Sequence, residues 1–154
     1  MTMTQTKRRE YLIRYLLDEQ PNNHTVIPND ILSQKRLLRS LMNVRSPKPI
    51  SEEFLLVQDE YLQAELAQKE VVSVSDLTPL APGIYVWQGD ITTLACDAIV
   101  NAANSGMTGC YYPCHGCIDN AIHSYAGVQL RLECDAIIKA QGHEEPTGTA
   151  KITE

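Results

Sequence analysis

The first stretch of the chain repeats apolar residues three and four apart. Tyr11, Leu12, Tyr15 and Leu16 form one such stripe and predict a helix that ends before Pro21-Asn22-Asn23. Ile31, Leu32, Leu37, Leu38, Leu41 and Met42 predict a second helix, running from about Asp30 and stopped by Ser46-Pro47-Lys48-Pro49. A third starts at Ser51, a favourable N-cap, with Glu52 and Glu53 where the helix dipole favours acids. Phe54, Leu55, Tyr61, Leu62 and Leu66 carry its apolar face. No short amphipathic helix buries its stripe alone, so these three predict a small bundle, or a cap packed on the remainder of the chain. Nothing in them reads as catalytic, and Lys7-Arg8-Arg9 reads as a solvated helix start.

The pattern changes near Val71. Val71-Val72-Ser73-Val74 is a short β-type run, and Pro79 and Pro82 mark a linker or edge. Ile84-Tyr85-Val86-Trp87 predicts a strand, Gln88-Gly89-Asp90 a turn. The largely apolar run Ala95 to Asn101 predicts a strand buried on both faces. A loop extends from Ala102 to Gly116. Then comes a helix from about Ile118, with Ile122, Tyr125, Val128, Leu132, Ala136 and Ile137 inward and Gly142 as its stop. Strand, loop, helix in that order is the α/β signature, and ligands of such sheets bind at the C-terminal ends of strands. The change divides the chain into a helical segment, residues 1–74, and an α/β unit, residues 75–154.

Charge narrows the partners. A net charge of −6 over 154 residues argues against a broad nucleic-acid surface. No apolar run reaches membrane-spanning length, and Met1–Leu17 holds no apolar signal segment, so a reducing cytoplasm is expected, with no membrane partner.

The loop before the last helix is the chemically loaded part. Gly109-Cys110-Tyr111-Tyr112-Pro113-Cys114-His115-Gly116-Cys117-Ile118-Asp119 holds three of the five cysteines and one of the four histidines. Thiolate and imidazole are ligands zinc prefers, and Pro113 and Gly116 let a loop fold them around one ion. A disulfide framework fits poorly with an odd cysteine count and no secretory segment. Cys96 and Cys134 lie in apolar runs and read as core. Spacing leaves open whether a metal here is catalytic, with an open position, or structural.

These residues together resemble a macrodomain, the ADP-ribose-binding α/β/α fold. Gln88-Gly89-Asp90-Ile91-Thr92 resembles the family's Gly-Asp-Ile turn. Asp97 to Asn104 resembles its Ile-Val-Asn-Ala-Ala-Asn motif, and Ile118-Asp119-Asn120-Ala121-Ile122-His123 its Val-Asp-Gly-Ala-Ile-His helix opening. The cysteine-bearing loop stands where most members have a Gly-rich run. It marks similarity to the zinc-dependent branch, whose members remove ADP-ribose from proteins and are preceded by a helical segment.

The resemblance implies a macrodomain-like three-layer α/β/α fold preceded by an all-α segment. It implies an ADP-ribose site at Gly89, Asp90, Ile91, Asn101, Ala102, Ala103 and Asn104. Asp90 would accept from the adenine amino group, and Asn104 would fix the distal ribose. The amides of residues 105–109 would hold phosphates. Zn2+ would sit on Cys110, His115 and Cys117, with Cys114 outside the set. Cys117 falls at a helix start, where the dipole favours a thiolate. Asp119 and Asn104 would be catalytic, Asp119 orienting or deprotonating the water that attacks the anomeric carbon. The partners implied are ADP-ribose or an ADP-ribosylated protein. Some members of the branch are encoded beside a lipoyl-carrier protein and a sirtuin-class ADP-ribosyltransferase.

In the family, the stretch Pro146 to Thr153 leads into the second half of the sheet, with a second Gly-rich loop for the diphosphate. The C-terminal half is therefore expected to be missing here. The chain alone is expected to self-associate and to hydrolyse ADP-ribosyl bonds poorly. Two other functions compete: a non-catalytic ADP-ribose reader, and a metal- or redox-sensing module built on the cysteines.

Overall fold

A computed structural model describes residues 3–20 and 24–153. Three helices come first: α1 (Gln5–Asp18), α2 (Ile31–Val44) and α3 (Glu52–Leu66). Their starts are locally encoded. Asp30 caps α2 by accepting from Ser33 N, and Ser51 caps α3 by accepting from Phe54 N. The turn expected at Pro21-Asn22-Asn23 lies outside the described residues.

One core joins the three helices. Leu12, Ile13 and Leu16 of α1 meet Leu38, Leu41 and Met42 of α2 and Phe54, Val57 and Tyr61 of α3. Val128, from the second half of the chain, enters the same cluster. The stripes are shorter than predicted: Ile31, Leu32 and Leu66 are exposed. All three lie in terminal turns of their helices. The basic run also differs from expectation. Arg9 is buried, and its Nε donates to Gln34 Oε1 at 2.8 Å, so the helix start is packed rather than solvated.

After the three helices come β1 (Val72–Ser73), β2 (Pro79–Ala81), β3 (Ile84–Tyr85) and β4 (Leu94–Ala95), then α4 (Ile118–Ala126) and α5 (Val128–Gln141). An all-α segment followed by a small α/β region of macrodomain-like type is the fold class expected from the sequence. The β1 and β4 strands pair in parallel, Val72 opposite Leu94. The β2 and β3 strands pair antiparallel across a turn at Gly83.

Beyond these short ladders the predicted strands are not formed. Among the described residues, 96–101 lie outside any strand, and Val100 is 86 % exposed. Val86, 76 % exposed, has likewise left the predicted Ile84–Trp87 strand. A buried parallel strand needs a partner on each side, and the described residues supply none for this run. Cys96 is therefore exposed rather than core, while Cys134 is buried as expected.

The predicted last helix is two. Gly127, at φ 86° and ψ 177°, separates α4 from α5. That backbone region belongs to glycine almost alone. A Cβ on Gly127 would also meet Gln58 Nε2 at 2.3 Å. The kink turns Tyr125 and Ala136 to solvent, against their predicted inward placement. It also presents the Val128 N–H to Gln58 Oε1 at 3.0 Å. Gly127→Ala is expected to destabilise the protein by about 1–3 kcal/mol, from backbone strain alone. Thermal unfolding checks this, and an unchanged midpoint would show that the kink is not required. Gly142 ends α5 in the left-handed conformation, as predicted.

Candidate metal centre and active site

The ligand atoms of Cys110, His115 and Cys117 all lie within 4.8 Å of one another. A tetrahedral zinc with bonds of about 2.3 Å to sulfur and 2.0 Å to nitrogen separates those two atoms by roughly 3.5 Å. Cys110 Sγ and His115 Nδ1 stand 3.6 Å apart. Two thiols and an imidazole at this spacing fit a zinc ion, with a fourth position left over. Cys114 points elsewhere, its Sγ 3.4 Å from the Arg36 carbonyl.

Local structure explains the convergence. Cys117 is the N-cap of α4, its Sγ accepting from Asn120 N at 3.4 Å. Cys114 takes a left-handed φ of 52°, which turns the chain between Pro113 and His115. The His115 N–H closes that turn on the Tyr112 carbonyl at 3.2 Å. Asn120, fully buried, donates from Nδ2 to the carbonyls of Tyr112 (3.0 Å) and Cys110 (3.5 Å). Tyr112 sets its ring edge-on to His115, and Tyr111 lies under the guanidinium of Arg131, a residue of α5.

The same helix start carries Asp119, buried one turn from the metal loop. Its Oδ1 accepts from Asn101 Nδ2 at 2.8 Å and lies 3.6 Å from His123 Nε2. His123, one turn further along α4, is buried as well. Among the described residues its Nδ1 has no hydrogen-bond partner, and neither does Asn101 Oδ1. Burial holds the His123 imidazole below its ordinary pKa, with the Asp119 charge opposing and the Arg131 charge adding. Gly109 lets this histidine approach, since a Cβ there would meet its ring at 2.7 Å.

The other residues picked out by sequence are spread more widely. Asp90 caps a 3-10 turn, Ile91–Thr93, its Oδ1 accepting from Thr92 N and Oγ1, and its Oδ2 is 3.5 Å from Lys69 Nζ. Gly89 lies under the Trp87 ring, where a Cβ has no room. Ala102, Ala103 and Asn104 are exposed. Asn104 Oδ1 accepts from Gly106 N, and its carbonyl accepts from Met107 N. Two of the amides expected to hold phosphates are therefore engaged within their own loop. A cavity of about 320 Å³, lined by Lys69, Thr92 and Tyr125 among others, borders the Asp90 turn.

A macro domain family model matches residues 100–154, the stretch that holds Asn101, the metal loop and Asp119. A protein-ADP-ribose hydrolase of Treponema medium is 62 % identical over 98 % of this chain and 60 % of its own length. One of Staphylococcus aureus (strain MRSA252) is 49 % identical over 95 % of this chain and 55 % of its own. A "Probable bifunctional ADP-ribose hydrolase/ADP-ribosyltransferase" of Fusarium oxysporum f. sp. cubense is 39 % identical over 79 % of this chain and 22 % of its own. Over most of its length the chain is similar to these protein-ADP-ribose hydrolases.

That similarity extends over nearly the whole chain, while the chain spans 60 % and 55 % of the two bacterial hydrolases. The helical segment is thus part of what is shared. Among the described residues, no helix is long and apolar enough to cross a membrane. The macrodomain motifs do not include the residues that brace the metal loop from outside it: Arg39 and Asn43 on α2, and Arg131 on α5. The available signal was a polar residue, Asn43, set directly beside the apolar stripe of α2.

Proposed function

We propose that this chain forms part of a zinc-dependent hydrolase that removes ADP-ribose from modified proteins, cleaving the bond at the distal ribose. The observation that carries the reading is the convergence of Cys110, His115 and Cys117 at the start of the helix that carries Asp119. Zinc held by those three groups would supply Lewis acidity at its open position.

The remaining work falls to the chain's own groups. Asn101 holds the Asp119 carboxylate in one orientation through the 2.8 Å bond. Asp119 takes a proton from the attacking water as a C–O bond forms at the anomeric carbon. The bond from the anomeric carbon to the protein side chain breaks, its electron pair goes to the released side chain, and the proton held by Asp119 is passed on to it. Asn104, exposed on the loop between Asn101 and Cys110, would offer its amide to the ribose hydroxyls. Asp90 would receive the adenine amino group. The cavity beside Lys69, Thr92 and Tyr125 supports that placement, since it gives a ring a surface next to the carboxylate.

Asp119→Ala tests the reading in a form extended to the relatives' full length, since this chain alone is expected to turn over poorly. Turnover of an ADP-ribosylated protein is expected to fall about 10²–10⁴-fold. Calorimetry is expected to show ADP-ribose still bound. Binding with no turnover in either parent or variant would favour the reader. Zinc binding with no affinity for ADP-ribose would favour the sensing module.

A further inference from the structure

We propose that Asn43 and Arg39, on helix α2 of the N-terminal segment, are positioning residues for the Cys110–His115–Cys117 loop. The two residues are four apart and share one helix face. Asn43 is 1 % exposed, and both ends of its amide are engaged. Its Oδ1 accepts from Cys114 N at 2.9 Å, and its Nδ2 donates to Ser124 Oγ of α4 at 2.9 Å. The Cys114 bond holds the residue whose left-handed backbone swings His115 towards the two cysteines. A non-glycine residue in that conformation persists where its surroundings over-determine it.

Arg39 acts one residue further on. Its Nη2 donates to the His115 carbonyl at 3.1 Å and to Asn120 Oδ1 at 2.7 Å. Asn120 in turn ties down the Cys110 carbonyl and, through its N–H, the Cys117 sulfur. Each of the three ligand residues is thereby linked to α2 within two hydrogen bonds. Groups that orient metal ligands from behind set the affinity of a site as well as its shape. The helical segment is on this account a working part of the metal centre, not an appendage to it.

The inference rests on the metal reading above, and its test separates the two. Zinc affinity is measured on this chain by competition with a chromophoric chelator. The cobalt-loaded protein is then followed through its thiolate-to-metal charge-transfer band. Asn43→Ala is expected to weaken zinc binding about ten- to a hundredfold and to shift that band. Ser124→Ala removes the same contact between α2 and α4 but leaves the Cys114 bond, and is expected to bind zinc as the parent does. Equal loss in both variants, or parent-like affinity in a folded Asn43→Ala, overturns the inference. Should Asn43→Ala fail to fold, Arg39→Met decides: weakened zinc binding supports the inference, and parent-like binding overturns it. If the parent chain itself takes up no zinc, the metal reading fails and the inference falls with it.

Discussion

As purified, the chain is expected to carry about one zinc ion, and the Cys110→Ser, Cys117→Ser double variant none. Two of the three converging ligands are sulfur, and a hydroxyl replaces neither as a zinc donor. His115 alone, exposed on its loop, cannot retain the ion. Serine is the informative replacement at Cys117 because it is itself a good N-cap. Helix α4 keeps its start, and metal loss is not confounded with unwinding. Elemental analysis of both proteins gives the answer. Full metal in the double variant would place the ion elsewhere. Substoichiometric metal that does not rise on adding zinc would remove the site altogether.

Arg131→Ala is expected to destabilise the protein by on the order of 3–5 kcal/mol. This buried arginine joins both halves of the molecule. Its Nε donates to the Thr108 carbonyl at 2.6 Å, and its Nη1 to the carbonyls of Met42 (3.1 Å), Asn43 (2.7 Å) and Arg45 (2.7 Å). Three of those acceptors belong to the C-terminal end of α2, whose last carbonyls lack partners within the helix. The guanidinium is thus a cap supplied by a different helix. It also stacks over Tyr111, 4.2 Å from the ring centroid. Alanine would leave several carbonyls without donors beside an empty volume. Arg131→Met, which fills the space but donates nothing, should recover only the packing part. Denaturant unfolding of the two variants separates these contributions, and equal stability of parent and alanine variant would show the bonds to be idle.

What could be read ahead of the structure was what the chain decides locally. Asp30, Ser51 and Gly142 bound their helices because a cap acts on residues two to four away. The convergence of Cys110, His115 and Cys117 was readable because one loop carries all three. Residues 96–101 were misread because apolar, β-prone sequence states a preference that only neighbouring strands can satisfy. The break at Gly127 was hidden inside a continuous helical periodicity, since an isolated glycine is tolerated within a helix at modest cost. Arg39, Asn43 and Arg131 were invisible for a different reason. A polar side chain acquires its role from partners that sequence spacing does not reveal.

Those partners are distant along the chain, and this bears on the order in which the molecule assembles. Cys114 is braced by a residue 71 positions earlier, and Arg131 reaches carbonyls 86 to 89 positions away. Such closures carry a large entropic cost before any contact rewards them. Helices α1 to α3 are short-range neighbours and can dock first, whereas the cysteine loop acquires its shape only after α5 has returned to α2. A metal ion taken up on this route would arrive late, on a nearly finished fold, and zinc in the refolding buffer should leave the early, helix-forming phase unchanged.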